Sequence, residues 1–132
     1  MRIFIDTSAF YSLLDRDDAH HPRAKRVWSE LLKAVHTLVT SNYILVETVA
    51  LAQHRLGLEA VRAFHADILP LINIECVASG AHQSGAAALL SASRRDLSLV
   101  DCASFEVMRT AGISTVFAFD KHFKAQGFAV LP

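Results

Sequence analysis

Four carboxylates, Asp6, Glu47, Asp101 and Asp120, each stand against a strongly apolar run, in FIDTSAF, NYILVETVALA, DLSLVDCASFEVM and VFAFDKHF. This placement constrains the chain more than any other feature. An ionised carboxylate moved out of water without a partner either shifts its pKa or finds a cation. Several such groups at the edge of one core are most simply held together by a bound divalent metal, which takes hard oxygen ligands. The four lie far apart along the chain, so only a fold can assemble them.

The 132 residues suffice for one domain with a real core, spanning residues 1–132. A hydrophobic fraction of 52% and a mean hydropathy of +0.31 exceed what a solitary domain of this size requires, and predict apolar surface left for a partner or a second copy. Cys76 and Cys102 lack CxxC spacing and lie in apolar segments, which predicts two buried, reduced thiols. No charge-free apolar run approaches the roughly 18 residues of a membrane span, and Asp6 interrupts the apolar start too early for a signal peptide. The expected location is therefore the cytoplasm. Lys plus Arg equals Asp plus Glu, 13 against 13, so the whole chain carries no nucleic-acid footprint. With the four core-flanking acids occupied by metal the remainder becomes modestly basic, which permits a phosphate-bearing substrate.

The apolar pattern predicts a strand over 2–5 followed by a short helix in TSAFYSLLD, and a helix from His20 to Val35 with Pro22 in its first turn. A second strand is predicted over 37–40. The next helix runs from Ser41 or Asn42 through Glu47 to about Leu56 and stops at Gly57. Another follows from Leu58 to Leu69, ended by Pro70, and LINIEC reads as a third strand. Helices over 80–95 and from Ser98 through Arg109 precede a fourth strand over 114–119 that closes on Asp120, and a short HFKAQG helix and FAVL complete the chain. Strands separated by one or two helices predict a three-layer α/β/α sandwich with a mainly parallel central sheet.

In open α/β sheets functional groups gather beyond the carboxyl ends of the strands. Asp6 and Asp120 are placed at such ends, Asp101 in the first turn of its helix, and Glu47 about one turn into its own. Each acid also suits a purely structural role. Asp6 and Asp120 can cap the helices that follow them, Ser98-x-x-Asp101 has the form of a capping box, and Glu47 can be a solvated acid on a helix edge. Asp96 is expected in the turn between two helices, and Arg94 and Arg95 at a solvated helix end. The seven histidines form no HxH or HxxxH pair, so solvated or half-buried rings are expected rather than a zinc site. Phe4, Phe10, Phe105, Phe117 and Phe119 are assigned to the core.

These segments carry a resemblance. FIDTSAF, NYILVETVALA, LSLVDCASFEVMRTAGI and AFDKHFKAQGF, in that order and over nearly the whole chain, resemble the PIN-domain family, and within it the VapC-type toxins of prokaryotic toxin–antitoxin pairs. The resemblance implies a PIN-like sandwich and a Mg²⁺- or Mn²⁺-dependent endoribonuclease that cuts single-stranded RNA. By position it maps the family's catalytic, metal-binding acids onto Asp6, Glu47, Asp101 and Asp120, and Ser8 onto the small hydroxyl or amide residue two places after the first acid. Asp6 and Asp101 are the first choice for direct metal ligands, with Glu47 and Asp120 completing the shell. A small antitoxin and a homodimer are the implied partners. Two other readings share the same acids: a housekeeping RNA-processing nuclease of this fold, and a non-catalytic interaction module whose acids are only caps. Phosphoryl transfer through an aspartate is disfavoured by Ser8, where a second acid would be wanted.

Overall fold

A computed structural model describes all 132 residues, Met1–Pro132. The central strand, β1 (Arg2–Ile5), is apolar because it is covered on both faces: Ile3, Phe4 and Ile5 are at most 1% exposed. After α1 (Thr7–Leu14) and α2 (His21–Lys33) the chain enters β2 (Thr37–Ser41), then α3 (Asn42–Leu56) and α4 (Leu58–Ala63), then β3 (Asn73–Glu75). Two further helices, α5 (Ser79–Ala92) and α6 (Leu99–Ala111), lead to β4 (Thr115–Phe117), and α7 (His122–Ala125) leads to β5 (Ala129–Leu131). All neighbouring strands are parallel, in the order β3-β2-β1-β4-β5.

Strands are added outward from β1 in one direction as far as β3, and then on its other side, so the order reverses between β1 and β4. Right-handed crossovers then put α1–α4 on one face and α5–α7 on the other. The packed pairs follow that division: α1 meets α2 and α3, α3 meets α4, and α5 lies along α6, while α3 also reaches α6. Twenty-two buried apolar residues form one connected core around the sheet. Where α5 crosses α6 the approach is close, since a Cβ at Gly85 would lie 3.1 Å from the Ala103 amide nitrogen and the α6 backbone would have to give slightly.

The expected sandwich and its mainly parallel sheet are present, with four differences of detail. A fifth strand, β5, extends the sheet; FAVL is too short to show strand periodicity, and β4 supplies its partner groups. The fourth strand ends at Phe117, so Asp120 lies on the loop beyond it. The helix expected to run to Leu69 instead widens after Ala63 into a π-helical turn (Phe64–Ile68) and tightens into a 3₁₀ turn (Leu69–Leu71). Pro70 accounts for this, because its ring would collide with the Ala66 carbonyl in a continuous α-helix. Cys76 is exposed just past the edge strand β3, whereas Cys102 is buried as expected, and neither is in a disulfide. No helix is long and apolar enough to cross a membrane.

Candidate active site

Asp6 follows β1 directly, at the point where the strand order reverses. Its amide donates to the Phe117 carbonyl at 3.1 Å, continuing the β1–β4 ladder one residue past the strand. Its carboxylate caps α1: Oδ2 accepts from the Ser8 amide at 3.1 Å and the Ser8 hydroxyl at 2.6 Å. Asp101 is fixed by a complete capping box, with its amide donating to Ser98 Oγ and its own Oδ2 accepting from the Ser98 amide, both at 3.0 Å. Asp120 Oδ1 accepts from the His122 amide at 2.8 Å, capping α7. Glu47 projects from the second turn of α3, which begins at a Ser41 cap.

The capping roles are therefore real, and they do not compete with a site. Each aspartate uses one oxygen for its cap, leaving Asp6 Oδ1, Asp101 Oδ1 and Asp120 Oδ2 with no protein donor. The caps also fix where those free oxygens stand. No lysine or arginine lies within 4.0 Å of any of the four carboxylates.

The electrostatics follow from that arrangement. Burial pushes Asp6, 4% exposed, up to about pKa 7; the two hydrogen bonds from Ser8 oppose the rise, and the charges of Asp101 and Asp120 add to it. Glu47 is raised first by burial, with the Thr7 hydroxyl pulling the other way and Asp101 and Asp120 pushing further. Asp101 is raised by burial and by Asp120, against the Ser98 cap and His122. Carboxylates that each raise the others' affinity for a positive charge make a cation site. A hard divalent ion suits oxygens of this kind, and the unpartnered Asp6, Asp101 and Asp120 oxygens are the atoms it would use.

Ligand atoms of Asp101, Asp120 and His122 all lie within 4.8 Å of one another. Asp6 and Glu47 join them through the mutual charge effects rather than within that distance. His122 corrects the expectation of a solvated or half-buried ring, being only 6% exposed. Its Nε2 lies 2.9 Å from the Asp96 carbonyl oxygen, an atom that can only accept, so Nε2 carries the proton there. His122 thus holds the α5–α6 turn against the site and caps into Asp120, and the carboxylates remain the better metal donors. No periodic pattern marks it; its one sequence signal is its place two residues after Asp120. Asp96 occupies that turn as expected, exposed, its carboxylate held below its ordinary range by Arg94 at 2.9 Å. Phe119 is partly buried and packs against the core as expected, and its ring also stacks on His20 with ring centres 4.4 Å apart and 12° between planes.

With this geometry described, known proteins provide the comparison. The PIN domain family model matches residues 3–129. The chain is 37% identical over 127 residues to the 23S rRNA-specific endonuclease VapC20 of Mycobacterium tuberculosis, covering 96% of this chain and 95% of that protein. The crystal structure of VapC20, described as a sarcin–ricin loop cleaving toxin, superposes with a TM-score of 0.86 at 36% identity, covering 98% of this chain and 99% of that one. VapBC2 from Rickettsia felis, crystallised on a DNA fragment from its promoter, shares the fold at a TM-score of 0.73 and 11% identity, covering 98% and 97% of the two chains.

Proposed function

The chain belongs to the PIN-domain family, and from that premise we propose that it is a metal-dependent endoribonuclease, the toxin of a VapBC-type toxin–antitoxin pair acting in the cytoplasm. The observation that carries this reading is the convergence of four carboxylates, each aspartate with an oxygen to spare, in a chain alignable over 96% of its length with an rRNA endonuclease. The full-length likeness to a toxin favours this role over housekeeping RNA processing.

Asp6, Glu47, Asp101 and Asp120 are proposed as the catalytic acids and the ligands of Mg²⁺ or Mn²⁺. A divalent ion held there supplies Lewis-acid polarisation of the phosphodiester and a lowered pKa for attacking water. Ser8 and Ser98 each hold one oxygen of Asp6 and Asp101, leaving the other oxygen free for a metal. Glu47, raised by burial and by its neighbours, is placed to orient the attacking water and take its proton. Water attack leaves a 5′-phosphate and a 3′-hydroxyl without using the 2′-hydroxyl.

The partners proposed are a small antitoxin and a second copy of the chain. Exposed apolar side chains support both, among them Val46, 70% exposed on α3, and Leu90, 79% exposed on α5. A basic antitoxin side chain near the acids would stand in for the metal's charge.

The test has two arms. Purified protein with Mn²⁺ is incubated with single-stranded RNA and with a 23S rRNA hairpin fragment, and the end groups are identified. Cleavage leaving 5′-phosphates is expected, and its loss in Asp6→Asn and Asp101→Asn proteins that still fold. In cells, expression of the chain alone should arrest growth and the Asp6→Asn form should not. Wild-type cutting rates in both variants would remove the assigned roles, and normal growth with abundant, metal-active protein would remove the toxin role.

A further inference from the structure

We propose that the groove leading from Asp120 toward β5 holds the stretch of RNA next to the cleaved bond, seating phosphates on Arg23, Lys121 and Lys124 and stacking a base on His20. The proposal rests on the endoribonuclease reading and specifies how that site takes its substrate.

A cavity of about 410 Å³ is lined by His20, Arg23, Phe119, Asp120, Lys121 and Lys124, together with residues of the β5 edge. Asp120 belongs both to this groove and to the acidic cluster, so a strand lying in the groove runs directly to the acids. The charges along it are uncommitted. Arg23 and Lys124 have no carboxylate within 4.0 Å, and Lys121 has only a long, exposed contact with Asp96 at 3.7 Å. A site whose centre is four carboxylates repels phosphate, and cations along the approach offset that repulsion where the polyanion must pass.

The second observation is aromatic. Phe119, partly buried at the edge of the core, is covered by the exposed His20 ring in a near-parallel stack, with the Arg23 guanidinium 5.8 Å from the Phe119 ring centre. The phenylalanine holds one face of the imidazole, and the His20 residue as a whole is exposed. A rigid planar platform beside cations is the arrangement that takes single-stranded nucleic acid, since every base has a face to stack whatever its sequence. An acidic protein segment would also satisfy the lysines and Arg23, but would leave the platform without a role.

Binding of a fluorescein-labelled 12-nucleotide single-stranded RNA is measured by anisotropy with metal chelated, across a salt series. The Arg23→Ala/Lys124→Ala protein is expected to bind about tenfold more weakly, with a salt slope shallower by about 1.4 for two lost phosphate contacts. His20→Ala should weaken binding on the order of tenfold at unchanged slope, and His20→Phe should restore it. A control lacking two cations elsewhere, Lys33→Ala/Arg62→Ala, should stay within about twofold. Thermal melts confirm that each variant is folded. Binding by the Arg23→Ala/Lys124→Ala protein equal to the parent's overturns the proposal. Cleavage by the parent is scored separately: no cutting with Mn²⁺, alongside the expected binding pattern, sinks the nuclease reading and leaves the RNA groove standing.

Discussion

The Ser8 hydroxyl donates to Asp6 Oδ2 at 2.6 Å while its oxygen accepts the Phe119 amide at 2.9 Å. One small side chain therefore ties the acid at the end of β1 to the loop that carries Asp120. It also partly offsets the burial that raises Asp6. The strand-order switch is locked at the point where the two acids must stay in register.

Replacing Ser8 by Ala removes both bonds and leaves the Phe119 amide unsatisfied. A loss of about 1–2 kcal/mol is expected in urea denaturation. The Asp6 pKa should rise further, so the pH midpoint of Mn²⁺ binding should move upward. An unchanged midpoint would show that Ser8 does not tune the acid.

Burial of Asp6 makes metal-free stability depend on pH with a definite sign. Folded, the group keeps its proton to about pH 7, against 3.8 for its ordinary value, so the native state binds more protons than the unfolded chain between those values. Stability should fall as pH rises through that window, with no contribution below about 3.8 and the full cost above about 7. For Asp6 the cost is on the order of 4 kcal/mol. Asp6→Asn should remove this slope and be the more stable protein at pH 8 in metal-free urea melts. The same slope in both proteins would contradict the assignment.

Divalent metal should reverse that penalty. Mn²⁺ at about 100 times its dissociation constant is expected to stabilise the fold by about 2.7 kcal/mol, a rise of a few degrees in melting temperature. Because protons compete for the same oxygens, apparent affinity should climb up to about pH 7 and then level off. Asp101→Asn should abolish the thermal response. A flat scan together with a flat calorimetric titration would remove the metal site.

Two glycines of α5 should respond oppositely to the same substitution. Gly85→Ala drives a methyl against the α6 backbone at 3.1 Å and should cost about 1–3 kcal/mol; as α6 carries Asp101, cleavage should fall with it. Nothing lies within 4 Å of the Cβ position at Gly80, so Gly80→Ala should be neutral or stabilising by up to about 1 kcal/mol. Chemical denaturation of both proteins decides the matter.

The elements legible in the chain are those whose cause is local. Short β-branched apolar runs such as the IFI of RIFI favour strands covered on both faces, and Ser41, Ser98, Gly57 and Gly112 mark helix ends through their own side chains or backbone freedom. The four acids were legible for the same reason, since a carboxylate against an apolar run is costly wherever the chain goes. Beyond that, only the tertiary structure decided. β5 exists because β4 offers it hydrogen bonds, and His122 is buried because the α5–α6 turn presents a carbonyl to it. Phe119 stacks under His20 because the loop before α2 brings that distant ring over its face. Spacing likewise left the grouping of the acids undecided: local caps hold one oxygen of each aspartate, but it is the pairing of β1 with β4 that sets Asp6 beside the loop carrying Asp120. Local chemistry named the acids, and through-space packing of residues distant in the chain brought Asp101 and Asp120 together.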